Sequence, residues 1–97
     1  MKPVRFHPEA QLELDEAIAY YEERSPGVGI DLRKQVESAI PKIKLHPLRW
    51  SPSTHGTRRF MLRKFPYSLV YLEMLDHIWL VAVAHHKRRP GYWQKRL

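Results

Sequence analysis

Apolar residues change their spacing along the chain, and those changes divide it into elements. Val4-Arg5-Phe6-His7 alternates as a short strand does, and Pro8 follows at a position suited to the first turn of a helix, where its missing N–H is not needed. From there Ala10, Leu14, Ala17, Ile18 and Tyr21 form one helical stripe, while Glu9, Glu13, Glu16, Glu22 and Glu23 stay off it. Ser25-Pro26-Gly27-Val28-Gly29 breaks the pattern, and Leu32, Val36, Ala39, Ile40 and Ile43 then repeat it. The spacing predicts a helical hairpin. Pro41 lies inside the second stripe, where it removes a backbone donor and crowds the preceding turn, so a kink or early fraying is expected there.

Pro47 and Pro52 mark an irregular connection, and the stretch from Trp50 to Gly56 reads as a loop. Beyond it the period becomes two, in Arg58 to Lys64, Tyr67 to Met74 and His77 to His85. Phe65-Pro66 and Leu75-Asp76-His77 are short connections, which makes neighbouring strands antiparallel. Ile78 to Ala84 is apolar on both faces and belongs inside the sheet. The expected fold is α+β in the order β-α-α-β-β-β: an antiparallel sheet with an N-terminal helical hairpin packed on one face, as one domain over residues 1–97.

Composition narrows the function. No apolar run is long enough to cross a bilayer, and Met1-Lys2-Pro3-Val4-Arg5 lacks the apolar stretch of a secretion signal, so a cytoplasmic protein is expected. There is no cysteine, which excludes disulfides and thiolate metal sites. The net charge of +7 is unevenly distributed: residues 1–48 hold seven Lys/Arg against eight Asp/Glu, whereas residues 49–97 hold ten against two, Glu73 and Asp76. A polyanion, either nucleic acid or an acidic protein segment, is the natural partner of the second half.

Two places there could carry chemistry. In the strand from Arg58 to Lys64, Phe60 and Leu62 share a face with Arg58, which leaves Arg59, Met61 and Arg63 on the other. Were Phe60 and Leu62 to pack under the helices, Arg59 and Arg63 would line the open face, a suitable place to hold a phosphate. After the last strand, His85-His86-Lys87-Arg88-Arg89 runs without an acid into Pro90-Gly91-Tyr92-Trp93-Gln94-Lys95-Arg96. Imidazole moves protons, guanidinium stabilises charge on a phosphate, and an aromatic ring stacks on a base, which together are the components of a metal-free ribonuclease. The plainer alternative makes the histidines a hydrogen-bonded strand end, and Tyr92 and Trp93 tethers for the tail. Histidines 7, 46, 55, 77, 85 and 86 have no recurring ligand spacing, so no metal or other cofactor is expected.

Gly56-Thr57-Arg58-Arg59-Phe60, Phe65-Pro66-Tyr67-Ser68-Leu69-Val70-Tyr71 and Val83-Ala84-His85, followed by Arg88-Arg89-Pro90-Gly91-Tyr92-Trp93, resemble the RelE/ParE toxins in motif and order. The resemblance implies the toxin of a type II toxin–antitoxin module, bound by a cognate antitoxin in a hetero-oligomer. Two activities occur in that family. RelE-like members cut messenger RNA on the ribosome, and the resemblance puts one catalytic arginine where this chain has Ser68, a second at His86, and the catalytic tyrosine at Tyr92. In that reading Arg59, His85, His86 and Tyr92 form the catalytic set. The missing arginine favours instead the ParE-like branch of DNA gyrase inhibitors, with Arg58, Arg63, Arg88, Arg89, Trp93 and Arg96 as target-binding residues. A degenerate toxin that only binds its antitoxin is the third reading.

Overall fold

A computed structural model describes the whole chain, Met1–Leu97. The elements in chain order are β1 (Val4–Phe6), α1 (Pro8–Arg24), α2 (Val28–Leu45), β2 (Ser51–Pro52), β3 (Arg58–Met61), β4 (Tyr67–Glu73) and β5 (Ile78–His85). The sheet has five strands in the order β1-β5-β4-β3-β2, and β5 is interior as expected. Two expectations change. The sheet is mixed rather than antiparallel, because β1 runs parallel to β5, with Val4, Arg5 and Phe6 opposite Ile78, Trp79 and Leu80. The helical hairpin between β1 and the later strands carries the chain back across the sheet, and only such a crossover allows a parallel pair. The stretch read as a loop contains β2, whose Ser51 and Pro52 pair with Arg59 and Arg58. Proline is tolerated on such an edge strand.

The N-terminus of α1 is finished by His7, whose Nδ1 accepts the Glu9 N–H at 3.0 Å, with Pro8 in the first turn. Gly27 takes a positive φ of 92° to turn the chain into α2. The free N–H groups at that turn are taken by the Glu22 carboxylate, which accepts from Gly27 at 2.8 Å and Ile30 at 3.2 Å. These bonds hold its pKa below the ordinary value. The helices touch closely at Gly29, where a Cβ would stand 2.3 Å from the Ile18 carbonyl oxygen. Pro41 does not end α2, which continues to Leu45. Pro41 and Glu37 are both exposed, so the carbonyl deprived of its partner faces water.

The main core lies between the helical hairpin and the sheet, built from Leu14, Leu32, Val36, Ile43, Leu69 and Leu80 among others. Tyr71 is buried within it and donates its hydroxyl to the Pro47 carbonyl at 2.6 Å, fixing the connection that leaves α2. Burial pushes its pKa up to about 12. On β5 the alternation is interrupted: Val70 of β4 faces Ala82 and Tyr71 faces Leu80, leaving Val81 as an extra residue. This bulge turns Val81 and Ala82 together to the face away from the helices, where with Val70 and Trp93 they form a second, smaller core.

Candidate functional site

The segment after β5 folds back over the sheet face away from the helices, and two anchors hold it. Trp93 is buried against Val70, Val81 and Ala82. Arg96 forms a two-pronged ion pair with Glu13 of α1, at 2.9 and 3.0 Å, and also donates to the Val81 carbonyl at 3.0 Å. The reason lies in the length of β1. Its ladder on β5 ends where the His7 N–H meets the Leu80 carbonyl, so the backbone groups beyond need other partners. Arg96 takes the Val81 carbonyl, and Glu13 accepts the Val83 N–H at 3.0 Å. Glu13 also accepts the Tyr92 hydroxyl at 2.7 Å. The Glu13 hydrogen bond raises the Arg96 pKa, whereas burial, followed by the bond to Glu13, raises that of Tyr92.

Beside this tail lies a pocket of about 160 Å³. Ser68, Val70 and Ala84 of the sheet, Arg59 of β3, and His86, Arg88 and Arg89 of the turn line it, with Ser53 and Thr54 at its edge. Arg59 stands opposite Val70, and Val70 opposite Ala82, which places the arginine on the tail face as the alternation implied. Ser68 is buried, and its hydroxyl lies 2.9 Å from His86 Nε2. The two positions at which the resemblance puts catalytic arginines are thus hydrogen-bonded to each other. Arg88 carries its guanidinium over the Tyr92 ring, with Cζ 3.9 Å from the centroid. The edge of the pocket is held by the turn at His55, a residue with φ of 60° whose ring meets Trp93 at 6.1 Å.

Of the remaining predicted site residues, His85, Tyr92 and Trp93 also line this pocket, whereas Arg58, Arg63 and Arg96 do not. Arg63 does not project beside Arg59: β3 ends at Met61, and Arg63 lines a larger groove of about 630 Å³ between α2 and the sheet edge, with Lys34, Lys42 and Lys64. The bend toward Phe65-Pro66 ends the two-residue period there, which the alternation in the sequence did not reveal. Arg58 donates to the Trp50 carbonyl at 2.9 Å. His85 packs its ring edge-on against Tyr67, with centroids 5.0 Å apart, and its Nδ1 accepts the Lys87 N–H. Trp93 and Arg96 are committed to the protein's own fold, as the tether reading had it for Trp93. Two residues that now matter were passed over: Glu13, whose acid character alone gave no sign of a partner far along the chain, and Ser68, noticed only as the place of a missing arginine.

Comparison with known proteins agrees with this architecture. No helix is long and apolar enough to cross a membrane. No curated protein sequence matches the chain significantly. Among solved structures, one described as the chromosomal ParDE toxin–antitoxin system from P. aeruginosa is similar, with a TM-score of 0.76 over 88% of this chain and 96% of that one. At 13% identity the likeness is one of fold. A family model described as the ParE toxin of the type II toxin–antitoxin system parDE matches residues 4–90. With that match extending from β1 to the turn beyond β5, the chain belongs to the ParE toxin family of type II toxin–antitoxin systems.

Proposed function

We infer that this toxin acts by binding, with DNA gyrase as its target, rather than by cutting messenger RNA. The observation that carries this reading is the state of Tyr92. A ribonuclease of the RelE kind would need that hydroxyl at the scissile phosphate, but here it is donated to Glu13 and turned toward α1. The other catalytic candidates are engaged as well: Arg59, His85 and His86 all line the pocket with Tyr92, but the His86 ring is bonded to Ser68, and the His85 ring packs against Tyr67 with its Nδ1 accepting the Lys87 N–H. With Ser68 at the first arginine position, the pocket retains groups that attract an anion and lacks an aligned proton relay.

Arg59, Arg88 and Arg89 form the target-facing surface in this reading, and Arg58, Trp93 and Arg96 support it from within. The cognate antitoxin presents an acidic segment to the basic second half of the chain. The groove at α2 suits it, because Arg63 and Lys64 of that half are joined there by Lys34 and Lys42 of α2 and face a single acid, Asp31.

Inducible expression of the chain without its antitoxin tests the reading, with broken DNA and cleaved transcripts mapped in the same cells. Growth arrest with gyrase-dependent DNA damage and intact transcripts is expected, and Tyr92→Phe should preserve both. Codon-associated transcript cleavage that Tyr92→Phe abolishes, with DNA left whole, would establish the ribonuclease instead. Unaltered growth at verified levels of folded protein would point to a toxin that only binds its antitoxin.

A further inference from the structure

The pocket on the tail face has an asymmetry that its place in a toxin does not explain. None of its lining residues is acidic, and Arg59, Arg88 and Arg89 all reach it. Arg96 alone among the arginines is ion-paired, so these three carry their charges without an internal counterion. Arg59 and Arg89 are exposed, while Ser68 at the floor is only 3% exposed. A serine hydroxyl has one donor and two acceptor sites. Its one protein partner is His86 Nε2, so when the imidazole donates to it, the Ser68 O–H is left to donate into the pocket.

Size and shape restrict what can answer these donors. At about 160 Å³ the pocket is smaller than the roughly 300 Å³ and upward that hold drug-sized ligands. It has room for one compact anionic group whose substituents run out across the surface. Arg59 comes from a strand, Ser68 from the sheet floor and Arg89 from the turn after β5, so two guanidiniums and a hydroxyl reach one pocket from separate elements, a donor set that the several oxygens of a phosphate can engage together. Arg88 lines the pocket beside them and Lys87 adjoins it on the same turn, and a ligand with a row of negative charges would engage both as well.

We propose that this pocket is a phosphate-binding subsite that seats one phosphodiester of a nucleic-acid strand, on Arg59, Arg89 and the Ser68 hydroxyl. His86 is a positioning residue that holds that hydroxyl. The strand is bound and not cut, because the hydroxyl of Tyr92, a residue that also lines the pocket, is already donated to Glu13. The subsite stands independently of gyrase as the target, since it concerns the purified chain alone.

Fluorescence anisotropy of short labelled single-stranded oligonucleotides, DNA and RNA of matching sequence, measures it on the full chain. Wild-type protein should bind at low salt, with affinity falling steeply as salt rises. Arg59→Gln should weaken binding about tenfold whatever the sequence and lower the salt slope by about one, as loss of a single phosphate contact does. Ser68→Ala should weaken it about threefold, while Lys42→Gln in the groove at α2 should change it by less than about twofold. Circular dichroism confirms the fold of each variant. Tighter binding of the DNA strand would identify DNA as the source of the phosphate, and tighter binding of the RNA strand would identify RNA; either supports the subsite. Equal losses in Arg59→Gln and Lys42→Gln would overturn it in favour of diffuse attraction, as would no binding by the wild type. Displacement of the oligonucleotide by a glutamate-rich peptide of equal charge at equal concentration would overturn it in favour of an acidic-peptide site.

Discussion

The two faces of the sheet are closed in different ways. On one, the helical hairpin covers Leu69, Tyr71, Ile78, Leu80 and Val83 with an apolar stripe from each helix, and fourteen buried residues form a single cluster. On the other, four buried residues suffice, and the cover is a short tail whose hold combines one aromatic ring with one ion pair. Apolar packing excludes water over a wide area and leaves no donors free. A tail fixed at Trp93 and Arg96 covers only what lies beneath it, so Arg59, Ser68 and His86 remain beside it with open space above. The difference separates stability from recognition within one sheet: on the face with the smaller core, charge stands over the sheet itself, whereas on the helical side it is confined to a groove at the sheet edge.

The largest expected effect breaks the helical cover. Gly29→Ala places a Cβ against the Ile18 backbone oxygen, which cannot swing aside as a side chain can. The helices must separate or bend, at a cost of about 3 kcal/mol, at the upper end of the usual range for overpacking. Urea denaturation monitored by far-UV dichroism reads this as a lower midpoint. A midpoint within error of wild type would mean that the helical hairpin can shift over the sheet without loss.

A smaller effect should release the tail. Glu13→Gln removes the charge that Arg96 pairs with and weakens the contacts to Tyr92 and Val83, at a cost of about 2 kcal/mol for a charge-assisted group that is mostly buried. If the faces are as separate as their packing implies, amide hydrogen exchange should accelerate in residues 88–97 while the amides of β4 keep their protection. Equal acceleration in both would show that the tail and the main core open together.

The smallest effect concerns Glu22, in the last turn of α1 with its carboxylate on the turn into α2, and it sharpens the comparison by testing an ionic contact on the apolar side. Its folded pKa lies below the ordinary 4.5, so the unfolded chain binds its proton more readily. Its contribution is complete above the unfolded value and is lost as the pH falls through the lower folded one. Thermal melts across the acid range should therefore show wild type more stable than Glu22→Gln near neutrality, with the two converging in acid. A constant gap at all pH values would assign the difference to packing rather than to the carboxylate.

Much of this molecule follows from local pattern alone. The period of 3.6 in residues 10–21 and 32–43 and the period of two in residues 67–85 follow from which side of an element meets the core, and they appear wherever that element is placed. The alternation also identified the face of Arg59, and the apolar character of both faces of Ile78 to Ala84 identified the interior position of β5. The parallel seat of β1, the bulge at Val81 and the pairing of Glu13 with Arg96 were not legible. The last joins residues 83 positions apart, and neither partner differs locally from any exposed charge on a helix or tail. Trp93 and Arg96 had the composition of a nucleic-acid contact, and only the unfinished edge of β5, with a small apolar patch beside it, turned them inward. Sequence thus determined the elements and where the positive charge is concentrated; tertiary structure decided which of those charges remain free to meet a partner, because burial and pairing depend on registers that no local spacing contains.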